Sequence, residues 1–127
     1  MKITLSLPLP PPALSPNARL HFQEKGRITK AYRQMAKVWG KEFLHRGQRP
    51  CYDGTVRLTE TYRIAGKRRH DVRNLFAAFK AGEDGLVDAG MLPGDDDSVL
   101  EHGAPRIERV KTKAEEGVLV EIEEVLR

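Results

Sequence analysis

The chain has 127 residues, a length that suits a single domain, over residues 1–127, with one hydrophobic core. Because 39% of the residues are hydrophobic, 6% aromatic and 31% charged, the composition excludes disordered, fibrous and membrane-spanning classes and predicts a soluble globular protein. The 22 Lys and Arg residues outnumber the 18 Asp and Glu residues, which gives a formal net charge of +4. This excess favours a polyanionic partner, but similar excesses are common in proteins without one.

Cysteine and histidine usage limits the classes of site that the chain can form. The one cysteine, Cys51, excludes an intrachain disulfide framework and a multi-cysteine zinc site, and we expect a buried or idle thiol in a reducing compartment. The four histidines show no H-x-x-x-H or Cys–His spacing, so metal-binding histidines are not expected. No nucleotide-binding or serine-hydrolase motif occurs, so we expect no nucleotide cofactor.

The first part of the chain combines a strand, a basic loop and a helix. Residues 1–9 alternate apolar and polar side chains as a strand does and are too short for a signal peptide, which predicts a cytoplasmic protein. Residues 15–27 have no periodicity and predict a long basic loop. Apolar residues at helical spacing from Ile28 to Phe43 predict an amphipathic helix, with Thr29 as its N-cap and a basic exposed side.

The second part predicts strands around a second helix. Residues 55–64 alternate as a half-buried strand, and Glu60 interrupts its apolar face. A helix follows Asp71 and ends near Gly90. Residues 92–98 predict a turn-rich acidic loop. Three short strand candidates follow it, at residues 99–100, 107–110 and 118–122. The last two strand candidates are predicted to form a hairpin. Together, the predicted elements indicate an α/β (α+β) fold with a mixed sheet of about four strands covered by two helices.

Aspartates at both ends of the second helix are the candidate reactive groups. Asp71 precedes the helix and the triplet Asp95, Asp96 and Asp97 follows it. Roughly 18 residues that rise about 1.5 Å each separate the two ends, so a loop that folds back, or a partner chain, must unite them. Carboxylates from two segments would suit Mg²⁺, which activates water for phosphodiester hydrolysis. The neighbouring cations would position a nucleic-acid backbone; they are Lys67, Arg68 and Arg69.

Each of these features also has a purely structural interpretation. Asp71 can be a helix N-cap, and three aspartates after Pro-Gly can be a solvated turn. The basic cluster can be solubilising charge. Glu60 and Glu101 can be site carboxylates, or acids without a role in chemistry.

Four segments, taken together, resemble the RusA family of Holliday-junction resolvases. They are Arg68 to Leu75, Asp84 to Gly90, Asp95 to Val99 and the proline-rich stretch Pro11 to Asn17. The resemblance implies a small RusA-like mixed domain, assembled as a homodimer that binds four-way DNA junctions in recombination and repair. It also implies paired nicking with Mg²⁺, for which Mn²⁺ is expected to substitute. A two-fold dimer suits a junction that presents two equivalent scissile strands.

Site residues follow from the same resemblance. Asp71 matches the first acid of the family's D-x-D-N motif, Asn74 matches its asparagine, and Asp96 matches the loop aspartate. The implied catalytic residues are Asp71, Asp96 and Asp97, and the implied metal ligands are Asp71, Asp96 and Asp95. The implied DNA-binding residues are Lys67, Arg68, Arg69, Arg73, Asn74, Lys80, Asn17 and Arg19.

Arg73 stands where the family motif has its second acid, and Ala77 replaces a common lysine that Lys80 can only partly substitute. An acid replaced by arginine lowers the expected metal affinity unless other acids compensate. Two hypotheses follow: an active junction endonuclease in which Arg73 contacts the scissile phosphate, or a junction-binding protein of the same fold without chemistry. A third hypothesis is an interaction module that binds no nucleic acid.

Overall fold

The computed structural model describes residues 2–46, 52 and 54–125 of the chain and places a mixed sheet of five strands against three α-helices. The expected state of the Cys51 thiol concerns a residue outside these ranges. In chain order the elements are β1 (Lys2–Leu7), α1 (Phe22–His45), β2 (Val56–Ala65), α2 (Val72–Ala78), α3 (Lys80–Ala89), β3 (Leu100–His102), β4 (Arg106–Val110) and β5 (Gly117–Glu124). The predicted α+β class with a mixed sheet is confirmed, with one more strand and one more helix than expected.

The sheet is organised around β2. Its strand order is β1-β5-β2-β3, and β4 also pairs with β2. β5 is antiparallel to both β1 and β2, whereas β3 and β4 run parallel to β2. β3 pairs with residues 56–58 and β4 with residues 61–65, so these two strands follow one another along the same edge of β2.

The predicted terminal hairpin is wrong, because β2 lies between β4 and β5. Burial explains the arrangement: Val118, Val120 and Ile122 of β5 are at most 1% exposed, as suits a strand with neighbours on both sides. On β4, Ile107 and Val110 are only half-buried, which fits an edge position. The link between the strands contains a short 3₁₀ turn at Lys113–Glu115 instead of a hairpin loop.

α1 begins seven residues before the predicted N-cap. The ring nitrogen Nδ1 of His21 accepts a hydrogen bond from the backbone of Gln23 (3.2 Å) and caps the helix. Thr29, the predicted cap, lies inside the helix, where its hydroxyl donates to the Lys25 carbonyl at 2.8 Å. The prediction was wrong because the first turns of α1 are mostly polar and exposed, so they lack the apolar periodicity by which a helix is recognised.

The second predicted helix is divided in two at Phe79. The ring of Phe79 is fully buried and makes edge-to-face contacts with the rings of Tyr32 and Tyr62. Its backbone adopts φ −78° and ψ −7°, which ends α2 and starts α3. The expected stop at Gly90 is confirmed, since this glycine closes α3 with a φ of +87° that side-chain-bearing residues rarely adopt.

α1 and α3 pack closely on the helical side of the sheet. A Cβ atom at Gly85 would lie 2.3 Å from the carbonyl oxygen of Arg33, so only glycine permits this approach. The guanidinium of Arg33 also makes two hydrogen bonds to Asp88, at 2.7 and 2.9 Å. Within the described ranges, no helix is both long and apolar enough to span a membrane.

Candidate functional site

An open groove of about 660 Å³ joins two distant parts of the sequence. The proline-rich segment after β1 and Asn17 form one wall, and the turn between β2 and α2 forms the other. We call this the basic groove; the predicted site residues that line it are Asn17, Arg68, Arg69, Asp71 and Asn74. Ile64, Leu75 and Ala78 also line it, as does Glu116, whose Oε2 accepts a hydrogen bond from the backbone N–H of Ala65 at 2.9 Å.

The basic turn beside the groove is held by a residue that the sequence analysis missed. Arg109 on β4 donates from Nη2 to the Arg68 carbonyl at 2.8 Å and from Nη1 to the Gly66 carbonyl at 3.4 Å. Arg109 reaches the turn because β4 pairs in parallel with β2, which sets Arg109 opposite Ile64. No sequence pattern indicated that pairing. The side chains of Arg68 and Arg69 therefore extend from a tethered backbone.

Asp71 lies at the N-terminus of α2 and acts as its cap. Its Oδ1 accepts a hydrogen bond from the backbone N–H of Arg73 at 2.9 Å, which confirms the capping interpretation. The guanidinium Nε of Arg73 lies 4.0 Å from the same oxygen, but the Arg73 side chain is 91% exposed. A surface contact of this kind contributes little to stability and leaves Arg73 able to move toward a ligand.

The acidic loop, residues 92–98, is exposed over its three aspartates. The backbone N–H of Ser98 donates to Oδ1 of Asp96 at 2.8 Å, and the backbone and side chain of Ser98 together hold the pKa of Asp96 below its usual value. Asp96 is therefore ionised at neutral pH. Asp95 contacts Lys80, with 3.3 Å between Oδ2 and Nζ, and Lys80 also contacts Asp84 at 3.0 Å.

The acidic loop folds back toward α3. A metal site shared by Asp71 and the acidic loop depends on such a return. Asp95 meets Lys80, the first residue of α3, which lies nine positions after Asp71. The return is partial: in the described part of the chain, Asp71, Asp95 and Asp96 do not form a group of three whose ligand atoms all lie within 4.8 Å of one another. Of the remaining predicted site residues, Lys67, Arg73, Lys80, Asp97 and Arg19 are exposed and lie outside the lining of the basic groove.

A second set of carboxylates lies inside the molecule. Ligand atoms of Glu60, Glu83 and His102 all lie within 4.8 Å of one another, and we call these three residues the buried cluster. Glu60 and Glu83 are 1% and 4% exposed, whereas the side chain of His102 is 32% exposed. The His102 Nε2 lies 3.1 Å from both carboxylate oxygens of Glu83. Residues from β2, α3 and β3 thus converge between the sheet and the helices.

Glu60 has an unusual environment for an acid. Burial raises the pKa of Glu60 to about 8, a hydrogen bond from the Tyr62 hydroxyl to Oε1 opposes the shift, and the neighbouring Glu83 adds to it. The sequence analysis noted Glu60 because it interrupts an apolar strand face. Glu83 was not predicted, although Phe79, Glu83 and Leu86 share the inward helical spacing of α3. His102 was not expected to bind a metal, because spacing along the sequence carries no information on contacts between distant elements.

The fold and the groove define a small α+β protein with a basic surface groove and a separate buried cluster. No protein-family model matches the chain. Among curated proteins, an uncharacterized protein of Xylella fastidiosa is 32% identical over 99 residues. The match covers 78% of this chain but only 63% of the relative, so the chain spans less than two thirds of that protein's length.

Proposed function

We propose that the chain binds four-way DNA junctions and nicks them with Mg²⁺, as the resemblance of its motifs to the RusA family implies. The observation that carries this proposal is the basic groove. Asn17 belongs to one family-like segment, and Arg68 to Asn74 to another, some fifty positions away. Segments this far apart meet only through the fold, and here they line one groove.

The groove suits a nucleic-acid backbone chemically. Arg68 and Arg69 offer guanidinium groups that can bind phosphate oxygens with two parallel hydrogen bonds. The side-chain amides of Asn17 and Asn74 can donate to phosphate or sugar oxygens and fix the register of the strand without reading its sequence. The proline-rich wall is stiff, so the groove loses little conformational freedom on binding.

The proposed metal site needs the acidic loop to move closer to Asp71, because the ligand atoms of Asp71, Asp95 and Asp96 do not converge within 4.8 Å in the described part of the chain. Asp71 and Asp96 supply carboxylate oxygens, Asp96 is ionised, and both side chains are accessible. Asp95 or Asp97 would complete the set. When bound, Mg²⁺ or Mn²⁺ would polarise the scissile phosphate and promote ionisation of an attacking water. Arg73, at the mouth of the site, would bind a phosphate oxygen, since its side chain is almost fully exposed.

A homodimer is part of the proposal, because one chain offers one such groove while a four-way junction has two equivalent strands to nick. A two-fold pair would place one site on each strand. Size-exclusion chromatography with light scattering, with and without a junction, measures this directly.

The experiment compares a synthetic four-way junction with a linear duplex of the same sequence. We expect the wild-type protein to nick two symmetric strands of the junction with Mg²⁺ and to bind the duplex more weakly. Arg69→Ala should weaken junction binding about tenfold and reduce its salt dependence, because one phosphate contact is lost. Lys41→Ala, which removes an exposed cation on α1 outside the groove, is the matched control. Equal affinity for both DNAs, unchanged by Arg69→Ala, would contradict the proposal.

Arg73 favours a second candidate function, junction binding without cleavage. Its guanidinium lies 4.0 Å from Asp71, at the position where the resemblance implies a second acid. In this case Arg73 takes the place of the cation beside the phosphates. Tight, salt-sensitive junction binding without nicking, and nicking gained in Arg73→Asp, would support this candidate. Robust nicking by the wild-type protein would eliminate it.

A further inference from the structure

The buried cluster brings together three metal-ligating side chains that belong to different elements. Glu60 lies in the middle of β2, Glu83 on the inner face of α3, and His102 at the end of β3. One potential ligand atom of each lies within 4.8 Å of the other two. None of the three lines the basic groove, so the cluster is separate from the DNA site proposed above.

One carboxylate oxygen of Glu60, a member of the cluster, is buried without a partner in the described part of the chain. Glu60 is 1% exposed, and its Oε1 accepts the Tyr62 hydroxyl. Its Oε2 is buried and has no hydrogen-bond partner among the described residues. Buried carboxylate oxygens are normally bonded to a donor or a cation, because removing them from water without a partner is costly.

We propose that Glu60, Glu83 and His102 bind a divalent transition-metal ion of the Zn²⁺ type. Imidazole and carboxylate groups are both Zn²⁺ ligands, and three protein ligands with water as a fourth form an open tetrahedral site. Ligand atoms around tetrahedral Zn²⁺ lie about 3.3 Å apart, given metal–ligand bonds of about 2.0–2.1 Å. The His102 Nε2 and the Glu83 oxygens are already 3.1 Å apart, and a ligand atom of Glu60 lies within 4.8 Å of a ligand atom of each.

Charge and ligand type select the ion. Burial removes both carboxylates from water, and a divalent cation would bind them in their ionised form and neutralise their charge. An imidazole ligand favours Zn²⁺ and related ions over Mg²⁺, which prefers oxygen ligands and retains its water shell. His102 is the member of the cluster that meets solvent, since its side chain is 32% exposed.

The ion would join β2, α3 and β3, so its binding should be measurable without any nuclease assay. The chelator-treated chain is titrated with ZnCl₂ in a calorimeter, and with CoCl₂ while visible absorption is recorded. We expect one Zn²⁺ per chain, a Co²⁺ spectrum of low coordination number, and a higher melting temperature in Zn²⁺. MgCl₂ at the same concentration should not displace Zn²⁺ or Co²⁺ from the buried cluster.

The variants His102→Gln and Glu83→Gln should each weaken Zn²⁺ binding by at least about tenfold. His70→Gln removes an exposed imidazole outside the cluster and should bind Zn²⁺ as the wild type does. The double variant Asp71→Asn with Asp96→Asn should also keep one Zn²⁺ per chain, which separates this site from the proposed Mg²⁺ site. Circular dichroism checks that each variant is folded.

Failure to bind Zn²⁺ or Co²⁺ at millimolar concentration would overturn the proposal. So would binding that folded His102→Gln leaves unchanged, or binding that is lost in His70→Gln. Should a cluster variant fail to fold, the Co²⁺ spectrum of the wild-type chain decides, since octahedral, all-oxygen coordination would contradict an imidazole ligand.

Discussion

The basic groove and the buried cluster hold the same chemical groups in opposite surroundings. The groove has an aspartate, Asp71, beside His70, and both are exposed to water. The cluster has Glu60 and Glu83 beside His102, with both acids almost fully buried. Water screens the charges in the groove, which remain free to meet a charged ligand. Inside the protein the same charges act strongly on one another, so the cluster affects stability and the groove affects binding.

The largest expected effect is on the groove, from Asp71→Asn. Asparagine caps a helix about as well as aspartate, so stability should change by less than about 1 kcal/mol. Junction nicking should fall by about a thousandfold, roughly 4 kcal/mol in activation free energy, because a neutral amide is a poor Mg²⁺ ligand. Single-turnover nicking rates and urea denaturation measure the two quantities. Asp88→Asn, an α3 acid paired with Arg33, is the control and should nick at the wild-type rate.

The buried cluster should show the reverse, a large effect on stability and none on junction binding. We expect Glu60→Ala to destabilise the chelator-treated protein by about 3 kcal/mol. The substitution leaves a cavity under the helices and removes the partner of the Tyr62 hydroxyl. Junction binding by the folded fraction should not change. Glu60→Gln keeps the volume and an acceptor for Tyr62 and should be much less destabilising. Equal losses in the two variants would mean that the carboxyl group itself, and not its packing, determines the contribution of Glu60.

Stability of the cluster should also depend on pH. The pKa of Glu60 is about 8 in the folded chain against 4.5 ordinarily, so between these values the folded state holds a proton that the unfolded state has lost. Stability is therefore highest below about pH 4.5 as far as Glu60 is concerned, and declines as pH rises through 8. We expect a loss on the order of 2 kcal/mol, moderated by the nearby His102 and its contact with Glu83.

The measurement is the difference in unfolding free energy between wild type and Glu60→Gln from pH 5 to pH 9, in the presence of a chelator. Groups that do not interact with Glu60 cancel in this difference. A difference that stays flat across the range would contradict the raised pKa of Glu60.

The sequence predicted the parts of the fold that depend on near neighbours. Alternation identified β1 and β2, and Gly90 identified the end of α3. The start of α1 escaped prediction because His21 caps it without any preceding apolar pattern. The pairing of β4 with β2 escaped it too, because register and partner are set by burial across the whole sheet.

The basic groove and the buried cluster also differ in how far the sequence could predict them. The groove residues could be named because Arg68 to Asn74 form one continuous motif, and the fold only had to bring Asn17 to them. The cluster residues are 19 positions apart at the closest, between Glu83 and His102, and only Glu60 stands out in its own segment. Only the packing of α3 over β2 and β3 makes them a set. Sequence reasoning therefore finds sites built from motifs more readily than sites built from packing.

The smallest expected effect comes from Arg109, which connects the basic groove to the sheet. Arg109→Met keeps the aliphatic stem but removes the hydrogen bonds to the Arg68 and Gly66 carbonyls. Stability should fall by about 0.5–1 kcal/mol, as for loss of an exposed hydrogen-bonding pair. Junction affinity should fall about threefold, because Arg68 and Arg69 then extend from a looser turn and lose more entropy on binding.

Arg106→Met is the matched control for this prediction, since it removes an arginine from the same strand whose guanidinium contacts Glu121 at 3.8 Å and not the basic turn. Both variants lower the net charge equally, so a general electrostatic effect would weaken junction binding to the same extent in each. A larger loss in Arg109→Met, together with faster proteolysis after Lys67 or Arg68, would show that the groove depends on being anchored to the sheet. Equal losses would mean that the groove cations act through charge alone, independent of how the turn is held.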